Sequence, residues 1–218
     1  MVSVAVFSPH NDDHVLGMGG TIAKLNKDGD TIYTFIGSFG ELSHPHYKPE
    51  VIRKARVKEA QRADKLLGGQ GNVQFLGLRE LKFAEDFTRK GLGEKLVRRL
   101  KQLNVKRVYL TTPNDSHPDH KAFTKLLLDT ITQHGLSVSV YAYAVYPALR
   151  LVSAPRSFVD VSDTYGKKLD ALKAFTSQFN PFSYVITNNL VYVFTLIKNA
   201  FAGFLRGARH AEVFYKLR

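Results

Sequence analysis

Short runs of apolar, β-branched residues alternate along this chain with longer stretches in which hydrophobic side chains recur every three or four positions. Val2 to Phe7 is a continuous apolar run of strand length, as expected of a strand buried on both faces. Helical spacing follows over Val15 to Lys27, then a strand over Thr31 to Gly37 and a long loop through Glu41 and Pro45. Glu50 to Leu67 reads as an amphipathic helix closed by Gly68-Gly69, residues suited to a helix C-terminus. The alternation continues through strand Val73 to Leu76, helix Leu92 to Leu103, strand Arg107 to Thr111 and helix Lys121 to His134. Strands Ser137 to Tyr146 and Ser157 to Val161 and helix Thr164 to Phe175 complete it. Strands interleaved with helices predict an α/β fold: a single Rossmann-like domain over residues 1–218, with a mostly parallel sheet and helices on both faces. Leu190 to Leu205 fits two templates, since Leu190, Phe194, Ile197, Phe201 and Leu205 recur at helical spacing while Val191 to Thr195 also suits a strand. Most apolar stripes are buried, so this one is predicted to serve as core or as a subunit contact, with a membrane-surface element as the other reading.

Composition narrows the chemistry. At 218 residues, without a Pro/Ser/Gly-rich linker, the chain suits one sizeable core. There is no cysteine, which excludes disulfides, thiolate ligands and a thiol nucleophile, so any metal must sit on His, Asp or Glu. The start, MVSVAVFSPHNDD, lacks the basic region of a signal peptide, and Lys198 interrupts the longest apolar stretch short of the ~20 residues of a spanning helix. A soluble, cytoplasmic protein is the expectation. The net charge of +12 favours anionic partners. Its basic clusters, such as Lys95-Arg98-Arg99-Lys101, lack interleaved aromatics, so nucleic acid is not expected as a partner.

Two clusters carry the candidate chemistry: Ser8-Pro9-His10-Asn11-Asp12-Asp13-His14 and His117-Pro118-Asp119-His120, each directly after a predicted strand. In open α/β sheets ligands bind beyond the carboxyl ends of the strands, so the two clusters are expected to converge. A catalytic zinc site needs about three protein ligands and an open position, and His nitrogen with Asp oxygen is a suitable set. His10, Asp13 and His120 could supply it. Because Asp12 and Asp13 are adjacent, their side chains diverge, so one can hold metal while the other takes a proton from an attacking water. The same donors tolerate Fe²⁺ or Co²⁺.

SPHNDDHVLGMGGTIAK, from Ser8 to Lys24, resembles the first signature of the PIG-L/LmbE-like N-acetylglucosamine deacetylases, and His117-Pro118-Asp119-His120 resembles the second. Weaker echoes are Phe39-Gly40-Glu41, Arg56 with Glu59, Phe75-Leu76-Gly77, Asp160 with Lys167, Ser177-Gln178 and Ala211-Glu212-Val213-Phe214. The resemblance implies His10, Asp13 and His120 as zinc ligands and Asp12 as general base. It implies His117 as the group that stabilises the oxyanion or protonates the leaving amine, with Asp119 orienting the His117 ring. Arg56 is implied to reach substrate, although its i, i+3 spacing to Glu59 also suits a surface ion pair. Asn11 and His14 stand where the family pattern has Pro and Glu. His14 thus adds an imidazole near the site, as a substrate contact or a supporting partner. The implied substrate is a sugar or glycoconjugate bearing N-acetylglucosamine, with His44 and His46 in a loop that could line its cleft.

Two rival classes remain. A dinucleotide-binding fold is disfavoured, because Gly17-Met18-Gly19-Gly20 begins well past the strand and an acidic cluster stands where a pyrophosphate would sit. A non-catalytic sugar- or lipid-surface module would not need Asp12 or the ligand set. Among enzymes the runner-up is a zinc amidohydrolase for another N-acyl group. A homo-oligomer through the Leu190 to Leu205 stripe stays open.

Overall fold

The computed structural model describes residues 1–41, 47–146, 154–178 and 187–218. At its centre is one seven-stranded sheet in the order β3-β2-β1-β4-β5-β7-β6. These strands are β1 (Ser3–Ser8), β2 (Thr31–Ile36), β3 (Val73–Phe75), β4 (Val105–Thr111), β5 (Ser139–Tyr143), β6 (Arg156–Asp160) and β7 (Ala211–Lys216). From β3 to β5 all pairings are parallel, and β7 runs antiparallel to both neighbours.

Strand β1 shows why its apolar run folds as it does. Val4, Ala5, Val6 and Phe7 are fully buried, and successive side chains leave a strand on opposite faces. Val4 and Val6 join a core with α1 (Asp13–Lys27), α2 (Pro49–Leu66) and α6 (Tyr165–Leu172). Ala5 and Phe7 join the other core, with α3 (Phe83–Arg89), α4 (Leu92–Gln102) and α5 (Pro118–Gln133). The predicted α/β architecture, with helices on both faces, is therefore the observed one. From β1 the chain winds outward to β3 and returns on the other side to β4, so the connections after β1 and β4 diverge and open a crevice between them.

Helix α1 breaks at Met18 (φ −148°, ψ 22°). A Cβ on the preceding Gly17 would lie 2.1 Å from the Tyr143 ring, so only glycine lets α1 approach the sheet there. Beyond the break, the amides of Gly20 and Thr21 donate to the Glu212 carboxylate of β7 at 3.1 and 2.7 Å. Lys168 of α6 answers from the other side, donating to the Leu16 carbonyl (2.9 Å), Asn199 Oδ1 (2.9 Å) and Glu212 Oε1 (2.6 Å).

Three expectations change. Helix α3 and strand β7 were not marked by periodicity, and the strand predicted over Ser137 to Tyr146 is confined to β5. The ambiguous stripe is a helix, α7 (Thr187–Phe204), but it is not core: Thr195 and Asn199 face inward and are fully buried, while Ile197, Phe201 and Phe204 are 63, 61 and 79 % exposed. The inversion follows from Lys168, whose buried ammonium needs the Asn199 side chain. No helix among the described residues is long and apolar enough to cross a membrane. His44, His46 and residues 179–186 lie outside the described residues.

Candidate metal centre

The crevice collects both sequence clusters. The turn after β1 presents His10 and Asp12 and leads into Asp13, the first residue of α1. The loop after β4 carries Asp115 and ends at His117, the N-cap of α5, whose first turn holds Asp119 and His120. His10 Nδ1, Asp13 Oδ2 and His120 Nε2 form a triangle with sides of 3.3, 3.1 and 3.2 Å. Donors sharing one tetrahedral zinc at about 2.0–2.1 Å stand about 3.3 Å apart, so the three atoms fit such an ion.

Each imidazole of that triangle has a carboxylate behind it. His10 Nε2 meets Asp119 Oδ2 at 3.3 Å, and His120 Nδ1 lies 3.0 Å from Asp115 Oδ2, an ion-pair contact off the line of a hydrogen bond. Such partners fix the ring orientation and tautomer of a metal-ligating histidine. Burial opposes charge on His10, yet hydrogen bonds to Asp119 and Asp13 carry its pKa up to about 10. His120 likewise rises to about 9 against burial, through the charge of Asp13 and contact with Asp115. Asp13 stays well below the usual carboxylate range, although burial opposes this, because both imidazoles face it. The site is a sink for positive charge.

Asp12 precedes α1, but its side chain makes no capping hydrogen bond; only its backbone carbonyl serves the helix, accepting from Val15 and Leu16. Burial first, and then the adjacent Asp13, raise its pKa to about 6, near the range useful to a general base. The His117 ring is half-buried, and burial followed by the charges of His10 and His120 lowers its pKa. Its Nδ1 accepts from the Asp119 amide at 3.2 Å, which assigns the neutral ring's proton to Nε2. His10, His117 and His120 also form a wider group with ligand atoms within 4.8 Å of one another. His117 Nδ1 is committed to Asp119, so His117 stands beside the triangle rather than in it.

Several expected partners differ. The Asp119 carboxylate does not hold the His117 ring: it accepts from the Leu81 amide at 2.9 and 3.1 Å and meets His10. The first turn of α5 places the backbone, not the side chain, of Asp119 against His117. Arg56 and Glu59 are buried, not a surface pair. Glu59 accepts from Thr176 Oγ1, Ser177 N and Ser177 Oγ. Arg56 packs so closely against Gly40, at φ +69°, that a Cβ there would lie 2.7 Å from its guanidinium, and it is electrostatically coupled to Asp12 and Glu80. His14 is buried on Ser8, whose Oγ lies 3.1 Å from its Nδ1, and against Phe175; burial drops its pKa to about 4. That is the placement of a supporting side chain. Asn11, also buried, ties the site to α2 through the Arg56 carbonyl at 3.2 Å.

A family model described as GlcNAc-PI de-N-acetylase (PIG-L) matches residues 5–131, more than half of the chain and both clusters. The chain belongs to this PIG-L family. Among curated relatives, the diacetylchitobiose deacetylase of Thermococcus kodakarensis is 27% identical over 193 residues, 81% of this chain and 70% of that protein. An N,N'-diacetylchitobiose deacetylase from Pyrococcus horikoshii, solved with an inhibitor, superposes with a TM-score of 0.80 at 23% identity, over 99% of this chain and 83% of that one. A 4-carboxy-2-hydroxymuconate hydratase from Pseudomonas putida KT2440 gives 0.77 at 21% identity, over 100% and 97%. The PIG-L fold therefore carries more than one reaction, and the site must decide between them.

Within this PIG-L site, reading by sequence alone missed Asp115 and Tyr146. Asp115 is fully buried, and its Oδ1 accepts from His117 N at 2.9 Å. Its position two residues before the second cluster was the available signal. The Tyr146 ring lies 5.5 Å from that of His120 and 6.5 Å from that of His117, forming one wall of the crevice.

Proposed function

We propose that this protein is a metal-dependent N-deacetylase that removes acetate from an N-acetylglucosamine-containing substrate and leaves a free amine. The observation that carries the reading is the donor triangle of His10, Asp13 and His120, each imidazole backed by a carboxylate, with an uncapped Asp12 beside it. His10 Nδ1, Asp13 Oδ2 and His120 Nε2 would hold zinc, and Fe²⁺ or Co²⁺ suits the same donors. A divalent ion held there supplies Lewis-acid polarisation of the amide carbonyl and a lowered pKa for water. Asp12 accepts the proton of the water that attacks the acetyl carbon. His117 Nε2–H donates to the oxygen that gains charge, and the proton that Asp12 took from the water passes to the departing amine. Asp119 positions the ring of His10, and Asp115 that of His120. Arg56, beside Asp12, orients the sugar.

PIG-L membership and the diacetylchitobiose deacetylase relatives support this substrate class. The whole of residues 1–218 is taken as one catalytic domain, acting on a small sugar or glycoconjugate in the cytoplasm. The test is acetate release from N,N'-diacetylchitobiose and from N-acetylglucosamine glycosides, before and after chelation and with zinc added back. Acetate release that chelation removes and zinc restores is the expected result. Chelator-insensitive release, or hydration of an unsaturated acid in place of amide cleavage, would overturn it.

A further inference from the structure

Helix α7 turns its apolar side outward. Six of the eleven large hydrophobic side chains exposed among the described residues, Val193, Leu196, Ile197, Phe201, Phe204 and Leu205, lie on it or directly after it. Their spacing of three and four puts them on one stripe, so they form a patch rather than scattered exposures. Phe194, Ile197, Phe201 and Leu205 line one side of a cavity of about 330 Å³, and Phe158 and Arg156 line the other. Among the described side chains of the helix, the polar Thr195 and Asn199 are fully buried.

The rim of the patch is basic. Arg206 lies over the Phe158 ring at 4.1 Å, and Arg156 stands at the cavity. Between Asp170 and Glu212 the sequence contains no carboxylate, and none lines the cavity. Glu212 of β7 is taken by Lys168, and Asp160 by the amide and hydroxyl of Ser162. A second copy of this chain would bring the same arginines and no acid to meet them. An anionic bilayer offers both an apolar interior and negative charge. We infer that α7 and its arginine rim form a peripheral docking face for an anionic lipid bilayer, with the helix lying in the interface plane.

The face adjoins the metal-centre crevice. Lys198 of α7 donates to the Ala144 carbonyl at 2.6 Å, two residues before Tyr146. The inference does not depend on what the crevice hydrolyses, because docking is read without substrate.

The test is flotation of the full chain with vesicles of phosphatidylcholine alone or with added phosphatidylserine. Binding is expected on the anionic vesicles only, and it should weaken from 0.05 to 0.5 M salt as the Debye length shortens to a few ångströms. Each arginine near such a surface is worth about five-fold in partition, so Arg156→Gln with Arg206→Gln should weaken binding about 25-fold. Phe201→Ser with Phe204→Ser should abolish it, and circular dichroism should report an unchanged fold for both pairs. Absence of flotation, or equal flotation on neutral vesicles, overturns the inference. So does a micromolar dimer that Phe201→Ser with Phe204→Ser makes monomeric, which would place a second copy on the face. If a variant fails to fold, the salt series on the unmodified chain still decides.

Discussion

Lys168 and Glu212 are as deeply buried as Asp13 and His120, yet the two clusters treat charge differently. The Lys168 ammonium spends its three donors on three acceptors, and Glu212 takes two amides besides. That cluster is closed on itself. At the crevice, His10, Asp13 and His120 aim three donor atoms at one another, and the Asp12 side chain makes no capping bond. Burial of charge is common to both and so identifies neither. What separates structure from chemistry is whether the buried polar atoms are satisfied by the fold or converge on a point that the fold leaves for something else.

The sharpest way to break this contrast is at the triangle. His120→Ala should reduce bound metal from about one per chain to near zero, and turnover to background, with the circular dichroism spectrum retained. Undiminished zinc by elemental analysis would mean that the triangle is not the site. Asp12→Asn should keep its metal and lose about 10²–10⁴-fold in kcat, because an amide cannot accept the proton. A kcat near wild type, followed by fluorescent labelling of the freed amine, would move the base elsewhere.

At the closed cluster the effect should fall on stability. Lys168→Met leaves Glu212 buried and uncompensated, at about 3–5 kcal/mol, or roughly 6–20 °C in Tm. Adding Glu212→Gln should recover part of that loss in a double-mutant cycle. A single-variant loss below about 1 kcal/mol would show the cluster to be less closed than its hydrogen bonds indicate. The smallest effect lies at a supporting carboxylate of the crevice. Asp115→Asn should weaken metal binding about 10- to 100-fold through the His120 ring, measured by competition with a chelator. Unchanged affinity would remove Asp115 from the site.

The succession of strands and helices up to α6, α3 apart, and the convergence of the two clusters were legible because both rest on local pattern: β-branched runs mark buried strands, and the sheet rule fixes where their ends meet. Partners were less so. Asp119 lies two residues from His117 in sequence, but helix geometry carries its carboxylate to Leu81 and His10. Arg56 and Glu59 have the spacing of a surface pair, and only the packing of Thr176 and Ser177 onto α2 reveals that Glu59 faces inward. Asp115 sits in Thr112-Pro113-Asn114-Asp115, which reads as an ordinary turn. The inverted face of α7 escaped notice because hydrophobicity is a rule about averages, overruled here by one buried ammonium that needs Asn199.

The break in α1 has a consequence for the order in which this protein folds. The bond from Gly20 to Glu212 joins positions 192 residues apart, so closing it carries one of the largest loop-entropy costs available to the chain. A chain synthesised from its N-terminus acquires His10, Asp13 and His120 early. It acquires the carboxylate that takes the amides beyond the break only when β7 emerges, so these two bonds cannot close before that strand is made.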